Sequence, residues 1–506
     1  MSFRKNYIIL YTLIEAFLIT HREINFPLIG FQEKLHYNSS MEAFLISILI
    51  KIDNIKGGEL LVHQEEGKLK RNLGLREGIA YVIGFVIGTG IFLKPAVVLV
   101  NMGSSASALI IWIVGGLISM CSALTISEIA AYIPKVGGLY TYLVELYNDV
   151  VGFLYGWIEV IISSPGGSAA LAIACATFAT YFIPMGKWEL KLFAIFITLL
   201  IVILQIISTK LSLQMQGIAT IGKLVPMAAI IIFGLINGTA HDISFATSGI
   251  IKGAGTGVAL LGVLWSYDGW MNTCTLGDEM IHPEKNLPKA IIIGLAFVII
   301  VYALFNTAIF NVMSAPQVAA SESIGVDVSK KLFGRGGTTL ITIGMLLSSF
   351  AALNAQLASG IRVAFAMGQK KQLPKYKILN RVNPKLGTPV NSIIFQTVIS
   401  IIFILLGNFN TITDLCIFVI WIFFTLGVFS IFILRKKYPR DEKLYKVPLY
   451  PIIPIIGGIG GLYLIFVTIR DSFKGSMLGL ALTLIGLPVY YYCKKKYSDK
   501  DDAVKE

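Results

Sequence analysis

The sequence predicts an all-α membrane protein of twelve transmembrane helices, built as a five-plus-five inverted repeat with helices 1 and 6 discontinuous and two further helices behind it. Three observations predict this. Of 506 residues, 55% are hydrophobic and only 14% charged, against about 25% charged in soluble domains, and the mean hydropathy is +0.75. Apolar runs near the ~20 residues needed to cross a bilayer recur along the chain. They are continuous, as in LFAIFITLLIVILQII over 192–207, whereas closed outer-membrane barrels show short alternating segments. Finally, two polar or glycine-rich breaks fall in the middle of the first and sixth runs. Composition alone excludes a soluble enzyme, a disordered scaffold and a disulfide-rich secreted module.

The twelve spans are expected at 78–101, 106–131, 151–182, 191–208, 214–237, 255–278, 288–313, 338–366, 389–407, 412–434, 448–469 and 476–493. The run 151–182 is long enough to require tilt. The repeats cover about 78–237 and 255–434, with two extra helices over 448–493, all within a domain 62–495, and 496–506 form a tail.

Lysine and arginine set the orientation. With residues 68–77 inside, the inner segments carry 26 basic residues and the outer segments 8. This predicts an even number of spans and two cytoplasmic termini in a multi-pass cell-membrane protein. The net charge of +13 is read as topology, not as a nucleic-acid footprint.

Residues 1–61 stand apart. Their apolar stretches are interrupted by charge, lack a cleavage site and are too short to span. In a bacterial source, Lys56-Gly57-Gly58-Glu59 can be encoded by a ribosome-binding sequence, with a GTG start at Val62. The expectation is an extension outside the natural protein; a genuine interfacial helix is the alternative. The five cysteines, Cys121, Cys175, Cys274, Cys416 and Cys493, lie within or at the ends of apolar runs without CxxC spacing. They read as packing residues, and no metal or cofactor is expected.

Breaks in a lipid-buried helix are tolerated where they line a cavity or meet protein. The first is Gly88-Thr89-Gly90-Ile91-Phe92 and the second is Trp265-Ser266-Tyr267-Asp268-Gly269-Trp270. They occupy equivalent places in two five-span repeats, and an odd number of spans inverts the second copy. That is the pattern of a secondary transporter with broken helices. Freed N–H groups at the start of one half-helix suit a carboxylate, and freed carbonyls at the end of another suit an ammonium. Such a pair fits an α-amino acid. Glycine lets a ligand approach the backbone, although Gly84 and Gly88 also form a GxxxG packing pattern.

Lys223 is a buried anomaly in the fifth span. It either snorkels to the cytoplasmic side or serves as a fixed internal cation bridging helices 1, 5 and 8. Asp268 is its acidic counterpart: it caps a half-helix, contacts a substrate ammonium or pairs with a polar neighbour. Glu128 and Glu159 are further buried acids, expected in structural pairs.

GTGIFLKPAVVL, SEIAAYIPKVGGLYTYLVELY, LWSYDGWMNTCTLGDEMIHPEKNLPKAI, AFAMGQKKQLP and YKVPLYPIIPIIG resemble motifs of the L-type amino-acid transporter family, within the amino acid–polyamine–organocation superfamily. The resemblance covers about 68–495. It implies sodium-independent exchange of neutral L-amino acids by alternating access, with no catalysed reaction. It also implies substrate contacts at Val86, Gly88, Thr89 and Gly90, a closing aromatic at Trp265, an unwound stretch at Ser266, Tyr267 and Asp268, a facing Asn354 on the eighth helix, and Lys223 in place of sodium. Trp265 stands where relatives commonly have Phe. Animal members carry a cysteine between spans 3 and 4 for a heavy-chain partner; here the loop reads IPMGKWELK, so no disulfide-linked heavy chain is expected. The rival functions are a proton-coupled uptake system or a cationic amino-acid or polyamine permease using Asp268, and a non-transporting amino-acid sensor.

Overall fold

A computed structural model describes residues 73–133, 137–207, 209–246, 255–278, 280–383, 388–439 and 441–502. All belong to the compact unit Lys68–Glu506. The expectation for residues 1–61 lies outside the described residues.

Each of the twelve expected stretches coincides with helix. Span 1 consists of α1a, Leu75–Val86, and α1b, Gly90–Met102, bent by 49°. Then follow α2, Ser105–Tyr132, and α3, Asp149–Ala179, which contains a π-helical turn at Glu159–Ser163. Next come α4, Lys187–Ile207, and α5, Thr209–Asn237. Span 6 is α6a, Thr256–Tyr267, followed by a 3-10 segment, Trp270–Asp278. The second half continues with α7, Pro283–Val312; α8, Ile324–Gln369; α9, Val390–Leu406; and α10, Phe409–Lys437. The last two spans are α11, Ile452–Asp471, and α12, Phe473–Leu484 with Gly486–Asp502. Among the described residues eight helices are long and apolar enough to cross a membrane singly, and α1a with α1b makes a ninth, bent candidate.

Two spans differ from the sequence reading in extent. The helix of span 8 begins at Ile324 rather than near 338, because a preceding helix joins it through Gly334, whose φ of 62° belongs to the left-handed region that glycine tolerates. The helix of span 12 runs on to Asp502, past the apolar stretch that ends near 493, since Lys494 to Lys496 are good helix formers once the bilayer is left behind.

The inverted repeat is visible in which helices pack together. Exchanging each helix for the one five later maps many of the main packings onto one another. α2 packs on α7 and α3 on α8, each pair mapping onto itself; α5–α7 maps onto α10–α2, α5–α8 onto α10–α3, and α3–α4 onto α8–α9. The broken spans obey the same exchange, with α1b against α6a and α1a against the 3-10 segment. Their close approach depends on two glycines. A Cβ on Gly90 would stand 2.6 Å from Ser266 Oγ and 3.0 Å from Trp265 Cδ1. Gly269 has φ +110°, and a Cβ there would lie 3.1 to 3.3 Å from Phe85.

Candidate functional site

The breaks are shorter than the sequence patterns that announce them. α1b is helical from Gly90, leaving Ile87, Gly88 and Thr89 out of the helix. α6a stays helical through Tyr267, and only Asp268 and Gly269 leave it. Trp265, Ser266 and Tyr267 are therefore helical, not unwound: between Gly262 and Gly269 the run holds no glycine and has no reason to give up its backbone bonds.

The ends of the half-helices converge on one cavity. Val86, Gly88, Thr89, Gly90, Lys223, Trp265, Ser266 and Asp268 all line it. A Cβ on Gly88 would find only the Val86 carbonyl, at 3.9 Å, so this glycine faces open space. Thr89 is buried, and its hydroxyl has no hydrogen-bond partner among the described residues. The Lys223 ammonium donates to the carbonyl oxygen of Gly84, in the last turn of α1a. This places its charge on broken helix 1, at the cavity wall and 5% exposed as a residue.

Two expected site residues lie elsewhere. The Tyr267 ring packs between Trp112 and Tyr302, at centroid distances of 6.2 and 5.0 Å. Asn354 sits on another face of α8, where Gln205 Nε2 of α4 donates to its backbone oxygen at 2.8 Å and its side-chain oxygen at 3.0 Å. On α8 the cavity is lined instead by Ser348, Ala351, Ala352, Ala355 and Gln356, and Leu171 of α3 joins them.

Two further groups went unread in the sequence. Tyr302 of α7 is fully buried. Its hydroxyl lies 3.1 Å from the Val86 carbonyl and 2.9 Å from the Ser266 carbonyl, so one phenol bridges the ends of α1a and α6a. A lone tyrosine in an apolar run gives no signal of this. Lys94 of α1b is completely buried; its ammonium donates to Thr413 Oγ1 at 2.7 Å and Asp414 Oδ1 at 3.1 Å, both on α10. It also stands 5.3 Å from the centre of the Phe409 ring, which meets Trp265 edge-on at 6.2 Å. A second lysine inside a span, with an acid at the head of span 10, was a readable signal.

The other acids divide. Glu128 forms a bidentate pair with Arg435 at 2.9 and 2.8 Å and accepts from the Val447 N–H at 2.6 Å. This fastens α2 and α10 to the segment before α11. Glu159 has no ion pair among the described residues; its carboxylate meets the hydroxyls of Tyr155 and Ser163, both within a turn of its own helix.

An amino acid permease family model matches residues 73–487. The chain belongs to that family. It is 38% identical over 436 residues to the serine/threonine exchanger SteT of Bacillus subtilis, covering 86% of this chain and 99% of the relative. It is 30% identical to the human cystine/glutamate transporter, covering 85% and 86% of the two chains. Identity to the human large neutral amino acids transporter small subunit 2 is 29%, covering 86% and 84%. With its spanning helices, the permease is a multi-pass membrane protein that transports amino acids.

Proposed function

We propose that this permease is a sodium-independent exchanger of neutral L-amino acids, serine- and threonine-like ones included, that works by alternating access and catalyses no covalent step. One observation carries the reading: the amino end of α1b and the carboxyl end of α6a meet at the same cavity, 90 against 266. The N–H groups following Thr89 offer donors and a positive dipole end to a carboxylate. The carbonyls closing α6a, with the Asp268 carboxylate beside them, suit an ammonium. Gly88 leaves room for the Cα of the substrate, and Trp265 with Phe409 covers it from the side of Lys94 and Asp414.

In this reading the Lys223 ammonium fills the place of a coupling ion. Its bond to the Gly84 carbonyl supports the role over snorkelling, because a snorkelling amine would reach water or lipid headgroups. The excess of basic residues on the inner segments supports cytoplasmic termini. The 180–186 loop contains no cysteine, which supports function without a disulfide-linked heavy chain.

Counterflow into proteoliposomes tests the exchange. Uptake of labelled threonine is expected only when the vesicles hold internal amino acid, and is expected to be unchanged when sodium is replaced by choline. Uptake into empty vesicles driven by a pH gradient would replace exchange with proton coupling. Preference for lysine or a polyamine would move Asp268 to the centre of recognition, and binding without flux would make the protein a sensor.

A further inference from the structure

The remaining wall of the cavity is formed by α3 and α8, and its chemistry is uneven. Ser348, Ala351, Ala352, Ala355 and Gln356 recur at the three- and four-residue spacing that lines one helix face. Methyl groups occupy the middle of this stripe and polar groups its two ends. Ser348 is buried, and its hydroxyl has no hydrogen-bond partner among the described residues.

Gln356 is held in place without being satisfied. Its side chain lies flat across Gly167 of α3: a Cβ at 167 would stand 2.9 Å from Gln356 Nε2 and 3.3 Å from Cδ. Its backbone oxygen accepts from Ser164 Oγ at 3.4 Å, which pins this turn of α8 to α3. Its amide has no hydrogen bond among the described residues. Gln205 and Gln396, two other glutamines in spanning helices, have their amide nitrogens tied to carbonyls, at 2.8 Å from Asn354 O and 3.0 Å from Val160 O, with only their oxygens left unpaired. An amide that is positioned, lines the ligand cavity and is left unpaired is arranged to meet a ligand.

We infer that Gln356 is the residue that reads the substrate's side chain, favouring uncharged side chains that end in a hydroxyl or amide over aliphatic ones of equal size. This rests on the exchanger reading above. A carboxamide donates and accepts, so a hydroxyl or a second amide can satisfy it in either sense. An aliphatic side chain of the same shape leaves it unpaired as the cavity closes, and unpaired groups are what make such sites selective. The alanine stripe accepts the methylenes or methyl of such a substrate.

The test compares isosteric pairs, threonine with valine and asparagine with leucine, in counterflow at matched amounts of reconstituted protein. Wild type is expected to favour the polar member of each pair. Gln356→Met, equal in length and still able to lie over Gly167, is expected to lower the threonine-to-valine ratio by about tenfold. Gln356→Glu, the same shape with a charge, is expected to raise ornithine exchange relative to threonine. A Met variant with the wild-type ratio overturns the inference. If the Met variant does not reach the membrane, a Glu variant with unchanged preference between threonine and ornithine overturns it instead. Wild-type protein that exchanges no α-amino acid removes the exchanger reading and this inference together. Wild-type exchange with ratios unmoved in the variants removes the inference alone.

Discussion

In helix 1 the chain leaves the helix over Ile87–Thr89, and the glycine there, Gly88, faces open space; in helix 6 it leaves over Asp268 and Gly269, and that glycine is wedged against Phe85 at positive φ. The first break exposes backbone and one unpaired hydroxyl to the cavity. The second contributes a charge and otherwise serves packing. Their carbonyl ends are also served differently. α1a receives an ammonium from Lys223 and shares the Tyr302 phenol, whereas among the described residues the last turn of α6a receives only the phenol from another helix. Two interruptions related by the repeat thus differ in their surroundings: the glycine of the first opens onto the cavity, whereas that of the second packs on helix 1 beside a carboxylate that lines the cavity. Glycine marks both, and only the space around each glycine tells them apart.

The largest expected effect comes from closing the contact between the breaks. Gly90→Val should abolish exchange while the protein still inserts. A branched side chain 2.6 Å from Ser266 Oγ must push α1b away from α6a, and the backbone offers no room. The sharp comparison is Gly88→Ala, whose Cβ meets nothing: thermal stability in detergent should stay near wild type while the apparent substrate affinity falls. Equal losses of stability in both variants would erase the distinction drawn between the two faces of break 1.

Lys223→Ala should follow in size, losing most exchange at matched membrane expression, because the Gly84 carbonyl loses its donor inside the protein. An unsatisfied buried group costs about 1–3 kcal/mol. Lys223→Arg should recover only part of the activity, since a flat guanidinium does not replace a compact ammonium. Wild-type counterflow in the alanine variant would leave Lys223 as an anchor with no role at the break.

Tyr302→Phe should have the smallest effect of the three. It keeps the ring against Trp112 and Tyr267 but removes the donor shared by Val86 and Ser266. A fall in stability of about 1 kcal/mol, with exchange reduced but measurable, is expected in paired melting and counterflow measurements. An unchanged melting temperature would mean the two helix ends are held by packing alone.

Membrane residence, the positions of the helices and the two interruptions could all be read locally. A bilayer obliges every backbone group to be satisfied within its own helix, so apolar length and the rare exceptions are written into short stretches of chain. Helix 8 shows where such reading stops. Asn354 and Gln356 are both polar residues in one apolar helix, about 200° apart around its axis, and the sequence gives no reason to prefer either. The packing of α8 decides between them: it turns Asn354 toward Gln205 of α4 and lays Gln356 over Gly167 of α3 at the cavity. The bridge from Tyr302 to two carbonyls, and the pairing of Lys94 with Asp414 more than 300 residues later, likewise arise only when the folded helices bring distant turns within hydrogen-bond reach. What the sequence by itself determined was which segments span and where they break, because those follow from the local cost of polar backbone in lipid; which side chains line the cavity depended on helix rotation, and tertiary packing alone sets that.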